Sequence, residues 1–185
     1  FENYLLVGAP STFDTKDRYH PNYNEYHVIQ QSKVFLYDTT TGNLIHTFED
    51  LDKKNISDLP PQYSTSVEHE ETFTTLGRGG MAINENYILL SNKDNFISSD
   101  GLCCSYKGEV FVYDTKTRNH LYTIPSFQTV DGRDAPVSFG STIVILDNDI
   151  FIADSRIGKV HKFSASTGQH VLTLQDPTNS VYFGG

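Results

Sequence analysis

The chain predicts an all-β protein made of repeated four-stranded antiparallel units. Three observations carry this. The segments Lys33-Val34-Phe35-Leu36-Tyr37-Asp38, Glu109-Val110-Phe111-Val112-Tyr113-Asp114 and Lys159-Val160-His161-Lys162-Phe163-Ser164 align without a gap and lead into matching turns. The apolar runs are short and bounded by Gly, Asn, Asp, Ser and Thr, as strands between tight reversals require. No stretch repeats its apolar residues at helical spacing; Asn55-Ile56-Ser57-Asp58-Leu59-Pro60-Pro61 has room for one turn and is stopped by its prolines.

In chain order, the first unit has a strand B in Tyr4-Leu5-Leu6-Val7-Gly8-Ala9-Pro10, a strand C from Lys33 and a strand D in Leu44-Ile45-His46-Thr47-Phe48. It lacks a strand A. The second unit supplies all four: Gly79-Gly80-Met81-Ala82-Ile83, Tyr87-Ile88-Leu89-Leu90-Ser91-Asn92, the run from Glu109, and Leu121-Tyr122-Thr123-Ile124. The third runs Phe139-Gly140-Ser141-Thr142-Ile143-Val144-Ile145, then Ile150-Phe151-Ile152-Ala153-Asp154-Ser155, the run from Lys159, and Val171-Leu172-Thr173-Leu174. Residues 139–182 form a minimal copy of about 44 residues, the size of a propeller blade. The expected organisation is therefore one domain of about three β-propeller-type blades, at about 1–75, 76–138 and 139–182, with 183–185 opening a further repeat.

Small residues near the ends of strands A and B fit sheets that come closest at a central channel, where bulky side chains collide. The near-continuous apolar B strands fit burial on both faces. In an antiparallel blade the A–B and C–D turns share one rim, and the B–C and D–A connections share the other. All turns on the first rim are short, whereas B–C takes residues 11–32 and 93–107 and D–A takes 51–75 and 127–138.

Composition excludes several functions. The 185 residues carry 14 Lys plus Arg against 23 Asp plus Glu, a net charge of −9, and the pI near 5.1 lacks the basic character of a nucleic-acid binder. Apolar runs such as Ile143-Val144-Ile145-Leu146 fall far short of a bilayer span, so no direct membrane insertion is expected. The chain opens at Phe1 without a signal segment and closes on Phe183-Gly184-Gly185, so the natural polypeptide is expected to continue. Cys103 and Cys104 are neighbours, which leaves only a strained vicinal ring as an internal disulfide; they are read as free thiols or as one link to another chain. Asn55-Ile56-Ser57 is a glycosylation sequon compatible with secretion.

At Leu6-Val7-Gly8-Ala9-Pro10, Phe139-Gly140 and Phe183-Gly184, with Leu76-Gly77 as a weaker version, the chain resembles the FG-GAP repeat family of integrin α-subunit heads and bacterial and phage surface proteins. The Tyr-Asp and Thr-Gly turn after strand C extends the resemblance, and quinoprotein-like propellers share that turn. The resemblance implies a propeller on an extracellular, cell or virion surface. Integrin-like members carry a calcium loop between strands A and B; here Asn84-Glu85-Asn86 and Asp147-Asn148-Asp149 are too short to wrap a cation, so no metal or cofactor is expected. Familiar members close a ring of about seven blades, so further blades or further copies of the chain are implied.

Binding is expected on the long-connection rim, since loops on a rigid scaffold carry function. The segment 18–27 concentrates Tyr19, His20, Tyr23, Tyr26 and His27, offering flat apolar surface with adaptable hydrogen bonding. Asp94 and Asp100 lie in Lys93-Asp94-Asn95-Phe96-Ile97-Ser98-Ser99-Asp100-Gly101, which reads as a solvated turn, and Arg133 lies between acids in Asp131-Gly132-Arg133-Asp134. Glu68-His69-Glu70-Glu71 has no metal-ligand spacing. No nucleophile elbow, zinc-protease motif or phosphate loop occurs, and the histidines are scattered, so no catalytic residue is assigned. The leading reading is a non-catalytic module for a protein or glycan ligand. The alternatives are an assembly part of a virion or surface layer, bound to copies of itself or other subunits, and a quinoprotein- or hydrolase-type propeller enzyme.

Overall fold

Every regular element is a strand in the computed structural model, which describes residues 3–9, 12–14, 27–30, 32–49, 51, 72–73, 76–77, 79–97, 104–126, 138–155 and 157–177. The strands are β1 (Tyr4–Ala9), β2 (Thr12–Asp14), β3 (His27–Gln30), β4 (Lys33–Asp38), β5 (Leu44–Glu49), β6 (Thr72–Phe73), β7 (Met81–Ile83), β8 (Tyr87–Ile97), β9 (Cys104–Asp114), β10 (His120–Pro125), β11 (Phe139–Leu146), β12 (Asp149–Asp154), β13 (Lys159–Ser164) and β14 (His170–Gln175). They form three main antiparallel sheets, ordered β1-β4-β5, then β7 and β6 on β8 followed by β9-β10, then β11-β12-β13-β14; β2 and β3 pair as a ribbon. The all-β class and the strand order within each expected unit are those of the structure. The first sheet begins at its strand B, as the missing strand A requires.

The repeat extends to register. Gly8 opposes Val34, Ser91 opposes Val110 and Ala153 opposes Val160, so the three B–C pairs superimpose position by position. Each C–D hairpin carries an irregularity at one place, between Leu36 and Tyr37, His120 and Tyr122, and Lys162 and Phe163. The turns behind them share their chemistry. Gly42 N–H donates to the Asp38 carbonyl at 2.8 Å, Arg118 to Asp114 at 2.8 Å and Gly168 to Ser164 at 2.8 Å. All three donors take positive φ, 72°, 61° and 69°. The Asp38 and Asp114 carboxylates accept the next turn amides, and in Asp114 the bonds from the Thr117 amide and hydroxyl hold the pKa below its ordinary value.

Alternation gives each sheet two faces, and the second sheet buries both. Its Ile88, Leu90, Phe111 and Tyr113 pack with Val34, Leu36 and Phe48 of the first sheet, joined by Leu76. Its Leu89, Val110, Val112 and Ile124 pack with Phe139, Ile143, Ile150, Ile152 and Phe163 of the third. Each junction therefore joins a valine face, of the Val34/Leu36 type, to an aromatic face, of the Phe111/Tyr113 type.

Consecutive sheets meet backbone to backbone at strands A and B. A methyl on Gly8 would lie 2.6 Å from the Gly77 carbonyl oxygen, and one on Gly80 would lie 2.5 Å from the Ile143 amide nitrogen. Gly80 N–H donates to the Gly140 carbonyl at 2.7 Å. Leu76-Gly77 and Phe139-Gly140 play one part: Leu76 and Phe139 are fully buried, and Gly77 and Gly140 have positive φ and sit on Gly8/Val34 and Ser91/Val110 respectively. At the other edge, rings fill the gap. Phe48 and Tyr113 pack in a tilted arrangement at 4.8 Å between centroids. The Tyr122 hydroxyl donates across to the Ala165 carbonyl, and burial, aided by Tyr87, pushes its pKa up to about 12, so it remains a donor.

Two expected loops contain strand residues. The residues Lys93 to Ile97, read as part of a turn, continue β8, and β9 starts as early as Cys104, with Asp94 opposite Lys107 and Ile97 opposite Cys104. The pairing established by Tyr87–Asn92 meets no proline on either strand and simply propagates, and β6 adds to its far half through Thr72 opposite Phe96. The segment 11–32 likewise contains β2 and β3.

Two glycine substitutions separate conformational from steric cost. Gly42 has open space around it, so Gly42→Ala should cost only the left-handed backbone term, about 1–2 kcal/mol. A methyl on Gly168 would also meet the Tyr122 ring at 2.7 Å, so Gly168→Ala should cost more in urea unfolding. Equal losses would mean that the contact across the junction is slack.

Candidate functional site

The two rims of the stack differ in construction. On one, the C–D turn of each sheet is tied to the residue just before its strand B: Thr39 N–H donates to the Asn3 carbonyl at 2.8 Å, Thr115 to Asn86 at 3.1 Å and Ala165 to Asn148 at 2.9 Å. The Thr115 hydroxyl adds a bond to the Asn84 carbonyl at 3.0 Å, and the Asn84 carboxamide oxygen accepts the Asn86 and Tyr87 amides at 2.9 and 2.8 Å. Those side chains are spent on shaping the turns. The opposite rim bears the β2–β3 ribbon and the β6–β8–β9 extension, where chain has been added to the repeat.

At the base of this second rim, strand B carries a polar residue in the second and third sheets. Ala9, Asn92 and Asp154 occupy one repeat position, opposite Lys33, Glu109 and Lys159. Asn92 is fully buried and donates through Nδ2 to Glu109 Oε1 at 3.1 Å. Among the described residues, Asn92 Oδ1 and Ser91 Oγ have no hydrogen-bond partner, an uncommon state for buried oxygens. Asp154 is buried and accepts the Ser138 amide at 3.0 Å, while Ser141 Oγ reaches the Ala153 carbonyl at 3.3 Å. The first sheet has Gly8 and Ala9 where the others have Ser91-Asn92 and Ala153-Asp154, so this polar lining belongs to the second and third sheets. It offers buried acceptors close to where the connections leave the scaffold. No group of three His, Cys, Asp or Glu side chains that could hold a metal occurs among the described residues.

The sequence-derived candidates divide by location. Tyr19, His20, Tyr23, Tyr26, Asp100 and Arg133 lie outside the described residues, as do the 68–71 and 131–134 runs, Cys103 and Asn55. His27 opens β3 opposite Asp14 of β2, and Asp94 lies on β8; the two fall in different sheets.

One arrangement escaped the linear reading. Thr173 Oγ1 lies 2.9 Å from His161 Nδ1 and 3.0 Å from His170 Nε2, and His120 with Thr123 repeats the second contact at 3.0 Å. The signal was present in the alignment, since His161 stands where the other units have Phe35 and Phe111. Its ring packs beside Phe139 at 5.9 Å, and burial, reinforced by His170 and Lys159, holds its pKa down at about 4. His46 is shifted down as well, by burial and then by Arg118. A neutral imidazole wedged between sheets is part of the packing.

No protein-family model matches the chain, and no curated protein matches it.

Acid sensitivity follows from His161. Its pKa falls from an ordinary 6.5 to about 4 on folding, so in this window the unfolded chain binds the extra proton. The stabilisation is present above about pH 6.5 and is lost as pH falls toward 4. His161→Phe, which installs the residue of the other two units, should flatten the dependence of urea-unfolding stability on pH in that window. An unchanged slope would assign the acid sensitivity to other groups.

Proposed function

We propose that the chain is a non-catalytic β-propeller module of FG-GAP type that presents its ribbon-bearing rim to a protein or glycan on an extracellular or particle surface. The propeller reading is supported by the regular stacking of the sheets: one register, glycine-mediated contact at strands A and B, and aromatic filling toward strand D. The repeat type rests on Leu76-Gly77 and Phe139-Gly140, whose shared burial and positive φ give the sequence resemblance a structural counterpart.

The observation that carries the function is the asymmetry of the rims. Turns on one rim are held near their minimum length by hydrogen bonds, while β2–β3 and β6–β8–β9 build out the other. A scaffold tied at one end and elaborated at the other positions added segments without burdening its core. The half-buried Glu109 carboxylate, which accepts from Asn92 Nδ2, supplies a polar group at the foot of that rim, suited to ligand hydroxyls and amides.

The third sheet shows how little connection the scaffold needs, because four residues, 155–158, join its strands B and C. Replacing residues 93–108 with that connection should keep the melting temperature within a few degrees. Binding to a glycan microarray and to immobilised cell-surface proteins should then fall at least about ten-fold. Binding equal to that of the unmodified chain would contradict a role for this rim.

A further inference from the structure

Arg118 departs from its repeat. The other two C–D turns have Gly42 and Gly168 at the same position, where the amide closes the turn from a backbone of positive φ, and Arg118 takes that backbone at 61°. Side chains rarely adopt this conformation, and the turn itself does not ask for one, since glycine serves in both other units. Backbone strain of this kind gathers where a side chain is used.

The side chain belongs to the junction between the first and second sheets. Its guanidinium acts on His46 of β5, whose pKa is lowered by burial and then by Arg118. Around His46 the junction is lined with rings: Phe48 packs on His46 at 4.6 Å and on Tyr113 at 4.8 Å, and Tyr113 meets His120 at 5.5 Å. Lys116 is exposed on the same turn as Arg118.

The acids of the two turns are occupied. Asp114 Oδ1 accepts the Lys116 and Thr117 amides at 3.0 and 2.6 Å and the Thr117 hydroxyl at 2.8 Å, and Asp38 Oδ1 accepts the Thr40 and Thr41 amides at 2.7 and 3.1 Å. Among the described residues, no carboxylate pairs with Arg118. Its Nη1 donates to the Lys116 carbonyl at 3.1 Å, which holds the guanidinium by one nitrogen. Nε is buried and has no hydrogen-bond partner among the described residues, an uncommon state for a charged donor. By covalent geometry, the Nε–H and one Nη2–H point side by side, and this edge matches two oxygens of a carboxylate or phosphate. The residue as a whole is half-buried, at the boundary between junction and solvent.

We propose that the Nε and Nη2 edge of Arg118, at the junction of the first and second sheets, binds an oxyanion, the carboxylate or phosphate group of a ligand. Two parallel N–H bonds hold the oxyanion, and its charge offsets the repulsion between the guanidinium and His46. The site lies on the rim of short turns, away from the ribbon-bearing rim, so its failure would leave the ligand-binding reading untouched.

The test titrates the 185-residue chain with inorganic phosphate and, separately, with sodium acetate, against sodium chloride at matched ionic strength. The Arg118 Nε–H and the His46 ring protons are followed by NMR at fixed pH. At least one of the two oxyanions should shift both signals to saturation, with a midpoint of about 1–10 mM. Phosphate alone would assign the site to phosphate groups, acetate alone to carboxylates, and both to either. Arg118→Gly installs the residue of the other two turns, and a circular dichroism melt checks that it folds; in it the His46 response should vanish. Arg118→Lys keeps the charge without the fork and should weaken binding at least about three-fold. Shifts that fail to saturate with both oxyanions, shifts matched by chloride, or a His46 response that survives in Arg118→Gly would each overturn the proposal.

Discussion

The structure depends on how near one sheet's backbone can come to the next. At strands A and B the separation is set by Gly8 against Gly77 and Gly80 against Ile143, and at the start of strand C by Gly108 against Phe139, where even a methyl group would collide. At strands C and D the gap is filled by Phe48, Tyr113, Tyr122 and their neighbours. Small on one side and large on the other, the fillers set the relation between consecutive sheets, and the same register repeated along the chain sets it again. The hydrogen bond from Gly80 to Gly140 is possible only at this approach, so the glycines both permit the contact and satisfy it.

This constraint also organises the surface. Because the scaffold is specified by strands and tight turns, chain can be inserted where strand B leaves for strand C without touching either core. The ribbon of β2 and β3 and the extension of β8 and β9 are inserted at that point. The buried polar residues of strand B, Asn92 and Asp154, lie at the boundary between the repeated sheets and these longer connections.

Much of this was readable from sequence because each strand advertised its partners. The gapless alignment of the C strands fixed the hairpins, and Gly8, Gly80 and Gly140 stood where sheets were expected to crowd. The extent of β8 and β9 was not readable, since Lys93-Asp94-Asn95 has the composition of a turn and forms strand only because Asn92 and Glu109 have already aligned the two chains. The His161, Thr173 and His170 contact joins two strands and is invisible along either one. Of the expected site residues, His27 and Asp94 have strand positions, and the tyrosine-rich segment at 18–26 lies beyond the described residues, so the rim's chemistry rests on composition there.

The most direct measurement is the urea unfolding of Gly80→Ala. The glycine lacks a left-handed backbone, so the substitution carries no conformational strain of that kind, and the nearest atom is the Ile143 amide nitrogen at 2.5 Å, which trimming the Ile143 side chain would not move. Close approach as the determinant of the stack predicts a loss of about 2 kcal/mol or more that Ile143→Val fails to rescue. A stability equal to that of the unmodified chain would show that the sheets can separate at this edge without cost, and would contradict the account.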